Sequence, residues 1–383
     1  MPRSHRRRRR AAAVAALVAA LVANVATVTR AQCSSAPPVA ADRRRDAASA
    51  RVTVATFNAK FLFDGVDDVK ASPYNSGDDA ADVAAASAHI AAVRDDVVKA
   101  LDVDVLVIAE AETCGTLTRV AAASADYATG MVDGTDTFTA QEVGLLTKVD
   151  VVVDIQRTEA RGQYAQATSK CGYVGEKDSG VSKHFWTRVK IVDRYVSIIA
   201  AHLKANPTEA SSCAQREAQV EVLRGLISAR YAVNDAVIVL GDLNDYSAKY
   251  VDVSGNAPTS QVLARLRDFD DDGVDELEEV SSLISQSSRY TYQSESGYSK
   301  AMLDHILVSK ADVDIVDATI RHDVVTSHSV SDHFPVVSTL DILAGRNESR
   351  LGNASSSTPR NASVPFALVV AIGVAGALLR VAH

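Results

Sequence analysis

The chain has 383 residues, of which 47% are hydrophobic and 23% charged, and a formal net charge of −8. This length and balance exclude a disordered or fibrous protein and accommodate one large α/β or α+β domain, or two small ones. Residues 1–31 carry seven arginines and no acid, so without them the charge falls to about −15. A body that acidic does not hold nucleic acid by bulk electrostatics, and a polyanionic substrate would need local basic groups, metal ions or both.

In chain order, MPRSHRRRRR precedes the apolar AAAVAALVAALVANVATV and the small-residue site Thr29-Arg30-Ala31. Residues 1–31 therefore read as a secretory signal peptide, with a signal anchor as the alternative; either sends the rest across a membrane. Residues 32–50, rich in Ala, Ser, Pro and Arg, read as a linker. The folded domain spans 51–342. Residues 52–57 (VTVATF) alternate as a half-buried strand, and 79–101 have helical apolar spacing. VDVLVIAE (103–110) predicts a buried strand, and EVGLLTKVDVVV (142–153) two strands. Residues 185–203 predict a hairpin turning at Asp193-Arg194, and 215–230 an amphipathic helix. AVIVLGDLND (236–245), MLDHILVS (302–309) and PVVSTLDI (335–342) supply the last strands. Residues 343–364 are a polar spacer with sequons at Asn347, Asn353 and Asn361. Residues 365–383 form a hydrophobic tail whose apolar run is shorter than the roughly twenty residues of a spanning helix. It reads as a GPI-attachment signal or a short membrane anchor.

The pattern suggests two sheets packed face to face with helices outside, an α/β sandwich. The cysteines are Cys33, Cys114, Cys171 and Cys213. Their spacing matches no zinc site, and an even number in a secreted chain suggests disulfides. Cys171 with Cys213 is the favoured pair, since both lie in loops by pattern.

Polar residues stand at the ends of these apolar runs: Asn58, Glu110, His202, Asp242 and Asn244, then Asp304, Asp332 and His333. Taken singly, an Asn or Asp after a strand is a turn residue, and a lone His is a hydrogen-bonded structural group. Together they have a chemical logic. Carboxylate and amide oxygens suit Mg²⁺ or Mn²⁺. The histidines supply proton transfer and charge stabilisation at a phosphoryl oxygen. No Ser or Cys stands in a nucleophile-elbow context, so water is the nucleophile. The set describes metal-assisted hydrolysis of a phosphate ester.

The segments TFNAKFLFD, VLVIAEAE, SIIAAHLKAN, VIVLGDLND, MLDHILVS and SDHFPVV, in this order, resemble the motifs of the endonuclease/exonuclease/phosphatase superfamily. CAQREAQVEVL and RYTYQ resemble segments of its secreted nuclease-like branch. The resemblance covers about residues 51–342 and implies the deoxyribonuclease I-like fold, a four-layer α/β sandwich whose site lies where the central sheets meet at their strand ends. Carried over to this chain, it makes Glu110 the main metal ligand, with Asn58 beside the metal and Asp332 in the same region. Asp242 orients or deprotonates water, Asn244 holds the scissile phosphate, and His202 contacts the phosphate and helps the leaving group. His333, oriented by Asp304, stabilises the transition state. Lys60 stands where many relatives carry an acidic or amide residue, which leaves the number of metals open. Arg188 lies near the position of a substrate-side arginine in relatives.

A further acidic run, DFDDDGVDELEE (268–279), has the EF-hand spacing, with Asp268, Asp270, Asp272, Gly273 and Glu279 at loop positions 1, 3, 5, 6 and 12. It departs from the pattern at Asp275, where an apolar residue is usual. It reads as a Ca²⁺ loop or a solvated acidic loop. The expected protein is a monomeric, secreted or surface-anchored, Mg²⁺-dependent phosphodiesterase, most simply a nuclease, with no protein partner. The alternatives are a lipid or small-phosphoester hydrolase on the same fold and a non-catalytic surface binding protein.

Overall fold

The structure, a computed structural model, describes residues 42–66 and 68–345. The signal segment, Cys33, the three sequons and the hydrophobic tail lie outside the described residues.

Sixteen strands are described: β1 (Arg51–Leu62), β2 (Val105–Ala111), β3 (Ala128–Met131), β4 (Glu142–Thr147), β5 (Asp150–Gln156), β6 (Gly162–Tyr164), β7 (Lys177–Ser179), β8 (Lys183–Ile191), β9 (Arg194–His202), β10 (Ala236–Asp242), β11 (Leu277–Glu279), β12 (Tyr292–Gln293), β13 (Lys300–Ala301), β14 (Asp304–Ser309), β15 (Val313–Ile320) and β16 (Val336–Ile342). The described α-helices are α1 (Asp79–Ala92), α2 (Cys114–Ala121), α3 (Ala210–Ala232) and α4 (Val262–Arg267), with a single α-helical turn, Lys99–Leu101, at the end of the α1 segment. One six-stranded sheet has the order β15-β16-β1-β2-β4-β3, and the other β11-β14-β10-β9-β8-β5.

The central strands β2, β4, β10 and β14 bury both faces, which is why they read as continuous apolar runs. In β2, Val105 and Val107 face inward, onto a core shared with Leu145, Ile198, Ile238 and Ile306. Alternate residues Leu106 and Ile108 face outward, onto Ile90 and Val97 of the α1 segment and Leu117 of α2. On the other sheet, Ile199, Val239 and Leu307 pack outward against Val220 and Leu223 of α3 and Leu266 of α4. The layers are therefore helix, sheet, sheet, helix. Each fully buried Leu, Ile or Phe contributes roughly 1.5–3 kcal/mol.

Local signals set the boundaries. Asp78 caps α1 by accepting from Ala81 N at 3.2 Å, and Glu209 caps α3 by accepting from Ser211 N and Ser212 N. The α1 segment continues through a π-helical turn, Val93–Val98, and ends where Asp102 is left-handed. The β8–β9 hairpin turns at Val192-Asp193, just before the expected pair, with Val192 left-handed. Cys171 and Cys213 form a disulfide, joining the loop after β6 to α3.

Residues 42–50, expected as linker, instead form a turn held on the domain. Arg43 N donates to Lys148 O at 2.8 Å, and the buried Arg44 guanidinium bonds Asp42 and the carbonyls of Ala47, Ser49 and Arg51. An arginine with its donors filled by local acceptors packs like a core residue.

Candidate active site

Strand register assembles the site. Asp242, at the end of β10, is opposite His202 of the parallel β9 and Asp304 of the antiparallel β14. On the other sheet Asn58 of β1 is opposite Ala109, the residue before Glu110. The sheets meet here: Asn58 Nδ2 donates to Glu110 Oε1 at 3.1 Å and, across the sandwich, to Asp242 Oδ2 at 3.0 Å.

Gly241 makes the register possible. Its φ is +143°, and a Cβ there would lie 1.9 Å from Ala201 O. Only glycine lets β10 lie this close to β9 and still deliver Asp242. Lys60, Glu110, Asn206 and Asn244 are all left-handed, with φ of 50°, 64°, 69° and 51°. The kink at Lys60-Phe61 turns Phe61 N toward Glu110 Oε2, at 3.0 Å.

His333 Nδ1 donates to Asp304 Oδ2 at 2.7 Å, and His333 Nε2 stands 4.0 Å from Asp242 Oδ2. Burial alone would lower the His333 pKa, but Asp304, Asp242 and Asp332 outweigh it and raise it, so the ring carries a proton. His202 is the opposite case. Burial, with Lys183 and His333 near, drives its pKa far down and keeps it neutral, with Nε2 3.7 Å from Asp242 Oδ2. Burial, and then Asp304, raises the Asp242 pKa, with Glu110 adding to it. The site thus holds one cationic histidine, one neutral histidine and a carboxylate primed as a base. Asn244 lines the same cleft; its backbone N–H donates to Asp242 Oδ1 at 3.0 Å and its amide to Leu203 O at 3.2 Å.

Asp242, Asp304 and His333 each bring one donor atom within 4.8 Å of the others. The short His333–Asp304 hydrogen bond makes this group acid–base machinery rather than a metal cage. Glu110 Oε1 and Asp242 Oδ2 converge on the Asn58 amide nitrogen, and Asp304 adds to the negative charge there; carboxylate oxygens are the donors that a hard divalent cation prefers, so Glu110 is the residue that would hold one. Asp332 adjoins this region but faces Lys60, whose Nζ lies 3.8 Å from Asp332 Oδ2 and 3.7 Å from Glu295 Oε1.

Two expectations are corrected. Arg188 is not at the cleft. Its guanidinium is bound to Asp235, with Nε 2.9 Å from Oδ2, and it stacks on Tyr195; in register it pairs with Ser197, five residues before His202. The 268–279 segment is not an EF-hand. Strand β11 follows the loop where a helix would be needed, and Glu279 is buried with zero exposure, accepting from Ser247 Oγ at 2.8 Å and Arg267 Nη1 at 2.5 Å. Asp268 accepts from the backbone of Asp272 and Gly273, and Asp272 from Val274 N. Asp270 and Glu276 are the carboxylates grouped with Asp268.

Several residues act here that the sequence did not single out. Gln141 Nε2 donates to Glu110 Oε2 at 2.6 Å, and its Oε1 accepts from Lys183 Nζ at 3.1 Å. Ser331 Oγ donates to Asn58 O at 2.7 Å and accepts from His333 N at 2.9 Å, tying the two motifs together. Arg216 on α3, with zero exposure, donates to Asp245 Oδ2 at 2.9 Å and to the carbonyls of Lys204, Asn206 and Pro207. It clamps the loop after His202 to the loop after Asp242. Arg216 and Ser331 lie inside segments that carry the resemblance, but nothing in the sequence sets any of the three residues apart from its neighbours.

No protein-family model matches the chain, and no curated protein matches it. Solved structures do. An endonuclease/exonuclease/phosphatase from Bacteroides vulgatus superposes with a TM-score of 0.50 at 15% identity, covering 76% of this chain and 99% of that one. The chain has the endonuclease/exonuclease/phosphatase fold. The human Nocturnin catalytic domain with bound sulfate (TM-score 0.48, 16% identity, 77% of this chain and 96% of that one) and truncated Caenorhabditis elegans TDP2 (0.46, 16%, 76% and 97%) are also similar. The deoxyribonuclease I-like sandwich expected from the motifs is the architecture found, and its site residues lie at the meeting ends of the central sheets.

Proposed function

We propose that the protein is a metal-dependent phosphodiester hydrolase, a nuclease, that catalyses in-line attack of water on phosphorus. The observation that carries this reading is geometric: His333 is hydrogen-bonded to Asp304 and stands with His202 around Asp242 in one cleft. Asp242 orients the water and takes its proton. The His333 imidazolium and the Asn244 amide hold the phosphoryl oxygens as charge builds on them. His202 stands beside the leaving oxygen. Rigid strand ends fix these groups before the substrate arrives, which lowers the entropy cost of alignment. A Mg²⁺ or Mn²⁺ ion held by Glu110, with Asn58 beside it, would neutralise charge on the phosphate.

We place the enzyme outside the cell or on the outer face of a membrane, attached through its C-terminal tail. The leader-like N-terminus, the sequons and the Cys171–Cys213 disulfide support this location. The test is incubation of circular single-stranded DNA and supercoiled plasmid with Mg²⁺ or with chelator. Metal-dependent cutting supports the reading. Intact DNA from folded protein, with hydrolysis of a lipid or small phosphodiester instead, would replace nuclease with that substrate class.

A further inference from the structure

The cleft over the catalytic groups has a volume of about 670 Å³, in the range of pockets that enclose a single drug-sized ligand. One wall is the hairpin β12–β13, whose strands pair Tyr292 with Ala301. Tyr292 also bridges His333 through the backbone, and its ring lies edge-on to the His333 imidazole with centroids 5.4 Å apart. Tyr298, on the hairpin turn, is 93% exposed, an aromatic ring on the cleft rim that nothing in the fold covers. Tyr246, one residue past Asp245, lines the same space and is half-buried. Among the described residues no arginine lines the cleft, and its one lysine, Lys300, holds its ammonium 4.0 Å over the Tyr290 ring.

We propose that this tyrosine wall is a subsite for one nucleobase next to the scissile phosphate, and that the substrate is a single-stranded or terminal nucleotide phosphodiester. The inference rests on the phosphodiesterase reading above and specifies what that site takes. A base stacks on aromatic faces irrespective of its identity, whereas tracking a duplex needs several cationic phosphate contacts. This wall has rings in place of cations, on an acidic body. A lipid headgroup fits less well, because Ser254, Asn256, Ser294 and Ser299 make the surroundings polar where an acyl chain or bilayer would need an apolar rim. The contact between Tyr292 and His333 puts the base adjacent to the reacting phosphorus.

The test compares two esters with the same leaving group under Mg²⁺: thymidine 5′-(p-nitrophenyl) phosphate, which carries a base, and methyl p-nitrophenyl phosphate, which does not. The expected kcat/KM favours the nucleoside ester at least about tenfold, the strength of one stacked base. In Tyr298→Ala that preference shrinks several-fold, mainly through KM, and Tyr298→Phe restores it. Tyr298 is too exposed for its loss to threaten folding. Equal kcat/KM for the two esters, or a preference unmoved in Tyr298→Ala, overturns the subsite while the phosphodiesterase reading stands. A duplex oligonucleotide cut as fast as its single strand also overturns the substrate assignment. Hydrolysis of neither ester overturns the phosphodiesterase reading itself.

Discussion

Asp242 of β10 is the register partner of His202 on the parallel β9, and Asp242 Oδ2 stands 3.7 Å from His202 Nε2. Because Asp304 is opposite Asp242 on the other side, one strand position brings a base, a neutral histidine and the partner of a charged histidine together. Backbone pairing fixes the separation of these three residues, while His333 and Asn244 reach them from outside the named strands.

The role of Asp304 is tested by Asp304→Asn. The amide keeps the shape but loses the charge that holds His333 protonated, and it offers His333 a weaker partner. The expected outcome is a fall in kcat of about 10²–10⁴-fold, with the circular dichroism spectrum retained. A variant with wild-type kcat would remove Asp304 from its orienting role.

Arg216 should matter to catalysis without touching substrate. Arg216→Met strands the buried Asp245 carboxylate and should cost about 3–5 kcal/mol in urea unfolding. Arg216→Lys keeps the charge but cannot reach every acceptor on the two loops. The expected result is a folded protein with kcat lowered roughly 10–100-fold by misplacement of His202 and Asn244. If Arg216→Lys shows full kcat, the clamp is structural alone.

Acid should weaken the fold through His184. Burial, the main cause, lowers its pKa to about 4; Nδ1 donates to Val181 O at 2.6 Å and Nε2 accepts from Thr158 N at 3.0 Å. The unfolded chain takes up this proton near pH 6.5 and the folded one does not. Stability from this group is therefore complete above pH 6.5 and is lost as pH falls toward 4, up to about 3 kcal/mol. Denaturant midpoints at pH 7.5, 5.5 and 4.5 should drop more steeply in wild type than in His184→Gln. Parallel curves would contradict the assignment.

Metal affinity gives a readout that does not depend on turnover. Calorimetric titration with Mn²⁺ should show Glu110→Ala losing most of its binding. Gln141→Ala, which removes the 2.6 Å support of Glu110 Oε2, should weaken it about tenfold. Unchanged binding in Glu110→Ala would move the metal elsewhere in the cleft.

The apolar runs made the central strands and the order of the site motifs legible, because both faces of those strands are covered and the polar residues ending each run stand out. What was not legible depended on contacts far apart in the chain. Arg216 reads as one face of an amphipathic helix until its acceptors on two loops are placed around it. Gln141 lies in a loop with no periodicity. The alternation in β15 passed unread, because its polar face carries Asp314 and Asp317. Arg188 and Glu279 were misread for one reason: motif spacing places a residue along the chain, but not on a strand face. Arg188 turned to Asp235 and Glu279 to Arg267 and Ser247, because a buried charge takes the partner within reach.

The most direct test of the central claim is the rate of bis(p-nitrophenyl) phosphate hydrolysis by wild type and His333→Ala, each with Mg²⁺ and with chelator. The account predicts Mg²⁺-dependent release by the wild type, abolished by chelator, and a loss of at least about 100-fold in His333→Ala, whose thermal unfolding stays close to wild type. Equal rates in the two proteins, or hydrolysis indifferent to chelator, would contradict it.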